Sequence, residues 1–132
     1  MSVEQKVIEI VCEHLAVNKE QVTRNTNFIE DIGAKPYQVD RMLMQLRLAG
    51  KLDRVRGFIF GEMLDCVQPG GQDYTIQQVI LRVLERYDVP IIYGLKSGHV
   101  SSSNITLPIG VKAELTATGA TRELRIMESS TV

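Results

Sequence analysis

Apolar residues recur every three to four positions in three stretches of this chain and run together in three shorter ones. That alternation predicts helices interleaved with buried strands. Val3, Val7, Ile8, Val11, Cys12 and Leu15 share one face of a first helix over about Val3 to Ala16, which Ser2 is placed to cap. Pro36 suits the first turn of a second helix, where its missing donor costs nothing. Val39, Met42, Leu43 and Leu46 form that helix's apolar face, and Gly50 can close it. Thr75 is placed to cap a third, with Ile76, Val79, Ile80, Val83, Leu84 and Tyr87 at helical spacing. The strands are Phe28-Ile29, Gly57-Phe58-Ile59-Phe60-Gly61 and Pro90-Ile91-Ile92-Tyr93, the second being a run of the kind found in sheets covered on both faces.

Beyond a small-residue loop from Ser97 to Asn104, the segments Ile105 to Leu107, Val111 to Thr116 and Glu123 to Met127 read as short strands of an antiparallel tail. Parallel neighbours need crossover connections, and helices between strands supply them. The expectation is therefore an α/β fold with a parallel sheet, in a single domain over residues 1–132.

Composition narrows the function classes. With 132 residues, 44% of them hydrophobic, the chain is of a size for one core. A balance of 15 basic against 16 acidic residues offers no general attraction to nucleic acid or to an anionic membrane. Cys12 and Cys66 lie far apart without metal-ligand spacing, so buried free thiols and no metal site are expected. No basic segment followed by an apolar one opens the chain, and no apolar run is long enough to cross a bilayer. A cytoplasmic, reducing location is the expectation, which leaves the Asn104-Ile105-Thr106 sequon silent.

Glu30 and His99 are the acid and the imidazole that fall at ends of predicted buried strands, where ligand sites open in parallel α/β sheets. A carboxylate bonded to one imidazole nitrogen would fix the tautomer and leave the other nitrogen to take a proton from a nucleophile. The residues alone leave a second reading open, with Glu30 a turn acid beside Asp31 and His99 a solvated loop histidine. His14, on the first helix, is expected at the surface.

The company His99 keeps is more specific. Tyr93-Gly94-Leu95-Lys96-Ser97-Gly98-His99, followed by Asn104-Ile105-Thr106-Leu107-Pro108-Ile109-Gly110, resembles the histidine-bearing segment of the LD-carboxypeptidases. These are cytosolic serine hydrolases that trim murein tetrapeptides, with relatives that cleave microcin C. Phe28-Ile29-Glu30-Asp31-Ile32-Gly33 with Pro36-Tyr37-Gln38-Val39-Asp40-Arg41-Met42-Leu43 is similar to that family's strand and helix carrying the triad glutamate. Leu46 to Asp53, Gly57 to Gly61 and Asp65-Cys66 also fit in order, so the likeness covers Phe28 to Glu128. The resemblance implies that Glu30 and His99 are acid and base of a Ser-His-Glu triad, in a C-terminal domain of swivelling β/β/α type. In that family the nucleophile and oxyanion donors come from an N-terminal domain, and no such domain precedes Phe28 here. Ser97 stands two residues from His99, and Ser101 to Ser103 have no elbow motif, so none looks like an activated nucleophile.

Residues 2–34 look instead like bacterial acyl carrier protein, through Val7-Ile8-Glu9, Leu15-Ala16-Val17, Glu20-Gln21-Val22-Thr23 and Asn27 to Ala34. Such carriers continue with Asp-Ser-Leu, whose serine bears phosphopantetheine. Here Lys35-Pro36-Tyr37 stands in that place, and Pro36 has no hydroxyl to modify, so no cofactor is expected. The run Phe28 to Ala34 satisfies both patterns, which points to an artificial chimera: a carrier-like helix and connector, residues 1–27, grafted onto the hydrolase part.

The expected function is that of a folded but catalytically incomplete protein without physiological activity, not an enzyme as it stands. The alternatives are a weak murein-peptide binder and a hydrolase half that works when its nucleophile domain is supplied in trans. Loss of a covering domain also predicts self-association, as a dimer or by exchange of the first helix about the hinge Asn18 to Asn27.

Overall fold

The computed structural model describes residues 2–22, 34–67, 70, 73–97 and 102–129. It divides into two units, Met1–Arg54 with Met63–Tyr87, and Val55–Glu62 with Asp88–Val132.

The first unit is helical. Helix α1, Val3–Leu15, begins with a reciprocal cap in which the Ser2 hydroxyl accepts the Gln5 N–H at 3.1 Å and Gln5 Oε1 accepts the Ser2 N–H at 2.9 Å. It ends at Ala16 in the left-handed conformation. Ile10 and Val11 are buried from its apolar face, and a single turn of 3-10 helix, Lys19–Gln21, leads to buried Val22. Helix α2, Pro36–Leu48, carries Pro36 in its first turn as the sequence predicts. Pro36, Val39 and Met42 are buried, whereas Leu43 and Leu46 are half-buried.

Two bonds close the C-terminus of α2, from Gly50 N–H to Arg47 O at 2.9 Å and from Lys51 N–H to Leu46 O at 3.0 Å. This is the Schellman arrangement, and Gly50 takes the positive φ of +66° that it demands. Helix α3, Ile76–Leu84, buries Ile76, Val79, Ile80, Val83 and Leu84. Tyr87, expected on the same helix, lies beyond its end, its N–H turned back to Leu84 O at 2.9 Å. Pro90 follows closely, and the residues before a proline are driven away from helical geometry.

Helix α2 packs against both α1 and α3. Two long-range contacts join α2 to α3. Arg47 Nη1 donates to Val83 O at 3.2 Å, placing a guanidinium on a carbonyl of the last turn of α3, where both the unpaired acceptor and the helix dipole favour it. Arg82 Nη2 bonds Asp40 Oδ1 at 2.6 Å.

The second unit holds the sheets. Strand β1, Phe58–Gly61, pairs in parallel with β2, Ile91–Leu95, and the chain crosses between them by way of α3. The register runs Phe58 to Ile91, Ile59 to Ile92 and Phe60 to Tyr93, then slips so that Gly61 faces Leu95. The extra residue is Gly94, whose φ of +85° is one that a side chain would strain. The strand expected at Phe28-Ile29 lies outside the described residues.

The expectation that β1 is covered on both faces is corrected by Ile59, which is 40% exposed. A continuous apolar run does not reveal which of its two alternating faces finds a partner.

Strands β3, Ala113–Thr118, and β4, Thr121–Ile126, form the antiparallel hairpin of the tail around Gly119-Ala120. Leu115 stands opposite Leu124, and Glu114 opposite Arg125. The strand expected at Ile105 to Leu107 does not form. The Ile105 N–H instead bonds Lys96 O at 2.8 Å, and Pro108 then removes a donor that continued pairing would use. Helices with a parallel pair and a terminal hairpin make a mixed arrangement consistent with α/β.

Candidate functional site

In an open parallel sheet, ligands are received at the carboxyl ends of the strands. For β1 and β2 that edge is built by backbone. Glu62 N–H donates to Leu95 O at 3.3 Å, holding the exit of β1 against the exit of β2. A β-carbon added to Gly61 would stand 3.6 Å from both Leu95 O and Ser97 O, an ordinary contact, so the edge has room there for a small side chain. The bulge at Gly94 lies one residue before Leu95, inside the stretch from Tyr93 that resembles the histidine-bearing segment.

The described stem of that segment is closed at Lys96. Its carbonyl accepts the Ile105 N–H at 2.8 Å, its ammonium donates to Ser102 Oγ at 2.9 Å, and Ser97 N–H turns back to Leu95 O at 2.9 Å. His99 lies outside the described residues, between Ser97 and Ser102. So does Glu30, in the stretch 23–33 flanked by buried Val22 and buried Ala34.

Among the described hydroxyls and thiols, none is set up as a nucleophile. Ser102 accepts from an exposed Lys96, and a lysine serves as a base when it is buried. Cys66 is buried, and desolvation pushes its thiol above the ordinary value against the opposing charge of Lys35, which keeps it protonated. Cys12 is half-buried in α1, and both cysteines are free. Pro36 is a fully buried ring at the start of α2.

His14 corrects the sequence reading. It is half-buried rather than on the surface, with its Nε2 shielded and without a hydrogen-bond partner among the described residues. The signal was present, because His14 follows Val7, Ile10 and Val11 at seven, four and three positions and so shares their face.

Two clefts went unseen in the sequence. One, of about 350 Å³, lies between α2 and α3 and is lined by Asp40, Tyr74, Gln78, Val79 and Arg82. The other, of about 400 Å³, lies between β2 and the hairpin, with Tyr93, Thr118 and Arg122 in its wall. Neither has a local signature, since each is walled by residues far apart in the chain. No group of three metal-ligating side chains occurs among the described residues, and none of their helices is long and apolar enough to cross a membrane.

Comparison with known proteins gives a consistent assignment. The LD-carboxypeptidase C-terminal domain family matches residues 8–115, from within α1 into β3. The match thus starts upstream of Phe28. A Bacillus subtilis protein named as a murein peptide carboxypeptidase is 41% identical over 92 residues, covering 67% of this chain and 28% of that protein. A carboxypeptidase by name from a Synechocystis strain is 38% identical over 88 residues, covering 66% of this chain and 29% of its own length. One from Streptomyces coelicolor is 33% identical over 97 residues, covering 73% and 29%. The chain thus spans less than a third of these relatives. No solved structure matches it.

Proposed function

This chain belongs to the LD-carboxypeptidase C-terminal domain family, and from that premise we propose that it carries the acid and base half of a Ser-His-Glu hydrolase and performs no hydrolysis by itself. Glu30 would orient and charge-stabilise the His99 imidazole, and His99 would take the proton of a serine delivered by a separate nucleophile-bearing body. The substrate class would be murein tetrapeptides. The observation that supports this reading is the family match over residues 8–115, which takes in the described stem at Lys96 where β2 ends. The serine and the oxyanion donors of that body would supply the largest share of transition-state stabilisation.

The same proposal keeps the chain an artificial chimera without physiological activity. Its support is that Asn27 to Ala34 satisfies the carrier pattern while Pro36 replaces the modifiable serine. On that reading the graft is tolerated because α1 brings its own cap and apolar face.

The deciding experiment is a release assay for the terminal residue of a murein tetrapeptide. The chain alone should give no turnover. Addition of the nucleophile-bearing portion of a relative should restore turnover that His99→Ala and Glu30→Gln abolish. Turnover by the chain alone, lost in His99→Ala, would overturn the proposal.

A further inference from the structure

The cleft between α2 and α3 is where charge, apolar surface and room coincide. Its walls are Asp40 from α2, Gln78, Val79 and Arg82 from α3, and Tyr74 just ahead of α3, all within the first unit. Its volume of about 350 Å³ lies at the small end of the range for ligand sites. Val79 is buried and Tyr74 half-buried, and together they supply its apolar surface.

Asp40 and Arg82 meet through a single bond, Nη2 to Oδ1 at 2.6 Å, rather than as a two-pronged fork. Asp40 Oδ2 and the Nε and Nη1 of Arg82 make no hydrogen bond among the described residues, so each charge keeps an open side. Gln78 Oε1 is taken by the Thr75 N–H at 2.8 Å, which leaves that side chain its amide donors. An open carboxylate beside an open guanidinium selects by charge. A ligand with a lone carboxylate gains from Arg82 and is repelled by Asp40 one hydrogen bond away, and a lone ammonium meets the reverse. A ligand that carries both groups on one carbon lies antiparallel to the pair and gains from each.

We propose that this cleft binds a free α-amino acid with an apolar side chain, its ammonium on Asp40, its carboxylate on Arg82 and its side chain against Val79 and the Tyr74 ring. The inference does not rest on the hydrolase reading. The Asp40 side chain is 22% exposed and that of Arg82 67%, so the ammonium contact is the better shielded and the stronger of the two. With one partner open to water, binding is in the millimolar range.

The test is a titration of the whole chain with L-leucine at neutral pH, read by amide chemical shifts. Saturable shifts are expected at Tyr74, Gln78, Val79 and Arg82. Leucinamide lacks the carboxylate, isocaproate lacks the ammonium and glycine lacks the side chain. Each should bind about threefold to tenfold more weakly, the range for one solvent-screened charged contact or a partly buried side chain. Asp40→Asn should erase the advantage of leucine over isocaproate, and Arg82→Gln its advantage over leucinamide, each leaving the other preference in place. Should either variant fail to fold, the four ligands compared on the wild-type chain decide the matter without a substitution. No saturable shift at these four residues with L-leucine, or equal binding of all four ligands, would overturn the assignment.

Discussion

Gly57 lies so close to Leu115 that a β-carbon built on it would stand 2.7 Å from Leu115 Cδ2 and 3.3 Å from the Pro90 carbonyl oxygen. The Leu115 methyl can rotate away, but the Pro90 carbonyl is held by Phe58 N–H at 2.9 Å. Gly57→Ala should therefore cost about 1–2 kcal/mol in urea unfolding. Adding Leu115→Ala should recover part of the steric loss, and strictly additive losses would show that the contact is not the cause.

Helix α3 separates core from surface within one heptad. Leu84 is completely buried and Leu81 is 53% exposed. Leu84→Ala is expected to destabilise by about 3 kcal/mol through transfer and cavity terms. Leu81→Ala should stay within about 0.5 kcal/mol. Equal midpoints for the two variants would place the wrong face inward.

The start of α3 depends on a hydroxyl. Thr75 Oγ1 accepts from Gln78 N–H at 3.2 Å, and Gln78 Oε1 accepts the Thr75 N–H at 2.8 Å. Thr75→Ala should lower stability by about 1 kcal/mol, and Thr75→Ser should retain most of it. Thermal unfolding of the two variants side by side checks this.

Burial raises the Cys66 thiol above its ordinary value of 9.0. The folded state then holds its proton at pH values where the unfolded chain has released it. This contribution to stability is fully present below the unfolded value and is lost as the pH rises through the folded one. Cys66→Ala should flatten the alkaline part of the stability profile relative to wild type. Alkylation of Cys66 should be slow in the folded chain and accelerate on unfolding, and fast labelling under native conditions would contradict its burial.

Large apolar side chains remain exposed in both units, among them Leu48 at 78% and Ile109 at 85%. Self-association by such surface is expected to appear as a rise in apparent mass with concentration in light scattering. A monomer throughout would count against it.

Much of the helical unit was legible because caps and the 3.6-residue repeat are local. Ser2 with Gln5, Pro36, and Thr75 with Gln78 mark helix starts, and the buried positions of α3 match its apolar spacing. The strands were less so. The apolar run at β1 did not reveal that Ile59 faces outward, and Ile105 to Leu107 had strand-like residues but gives its N–H to Lys96 instead. His14 has a residue type suited to the surface, but its spacing places it among Val7, Ile10 and Val11. Of the candidate site, the sequence suggested the histidine-bearing segment and its place after a strand, but not the Lys96 stem, whose acceptor and donors depend on how the chain returns.

By itself the sequence determined where helices begin and end, which of their faces are apolar, and which family motifs stand in which order. Those properties depend on residues within one or two turns of each other. Tertiary structure decided the Gly94 bulge, the Gly57 contact with Leu115, the Arg47 and Arg82 links between α2 and α3, and the closure at Lys96. Each of these depends on segments brought to a set distance by packing and strand pairing, and spacing along the chain does not encode such a distance.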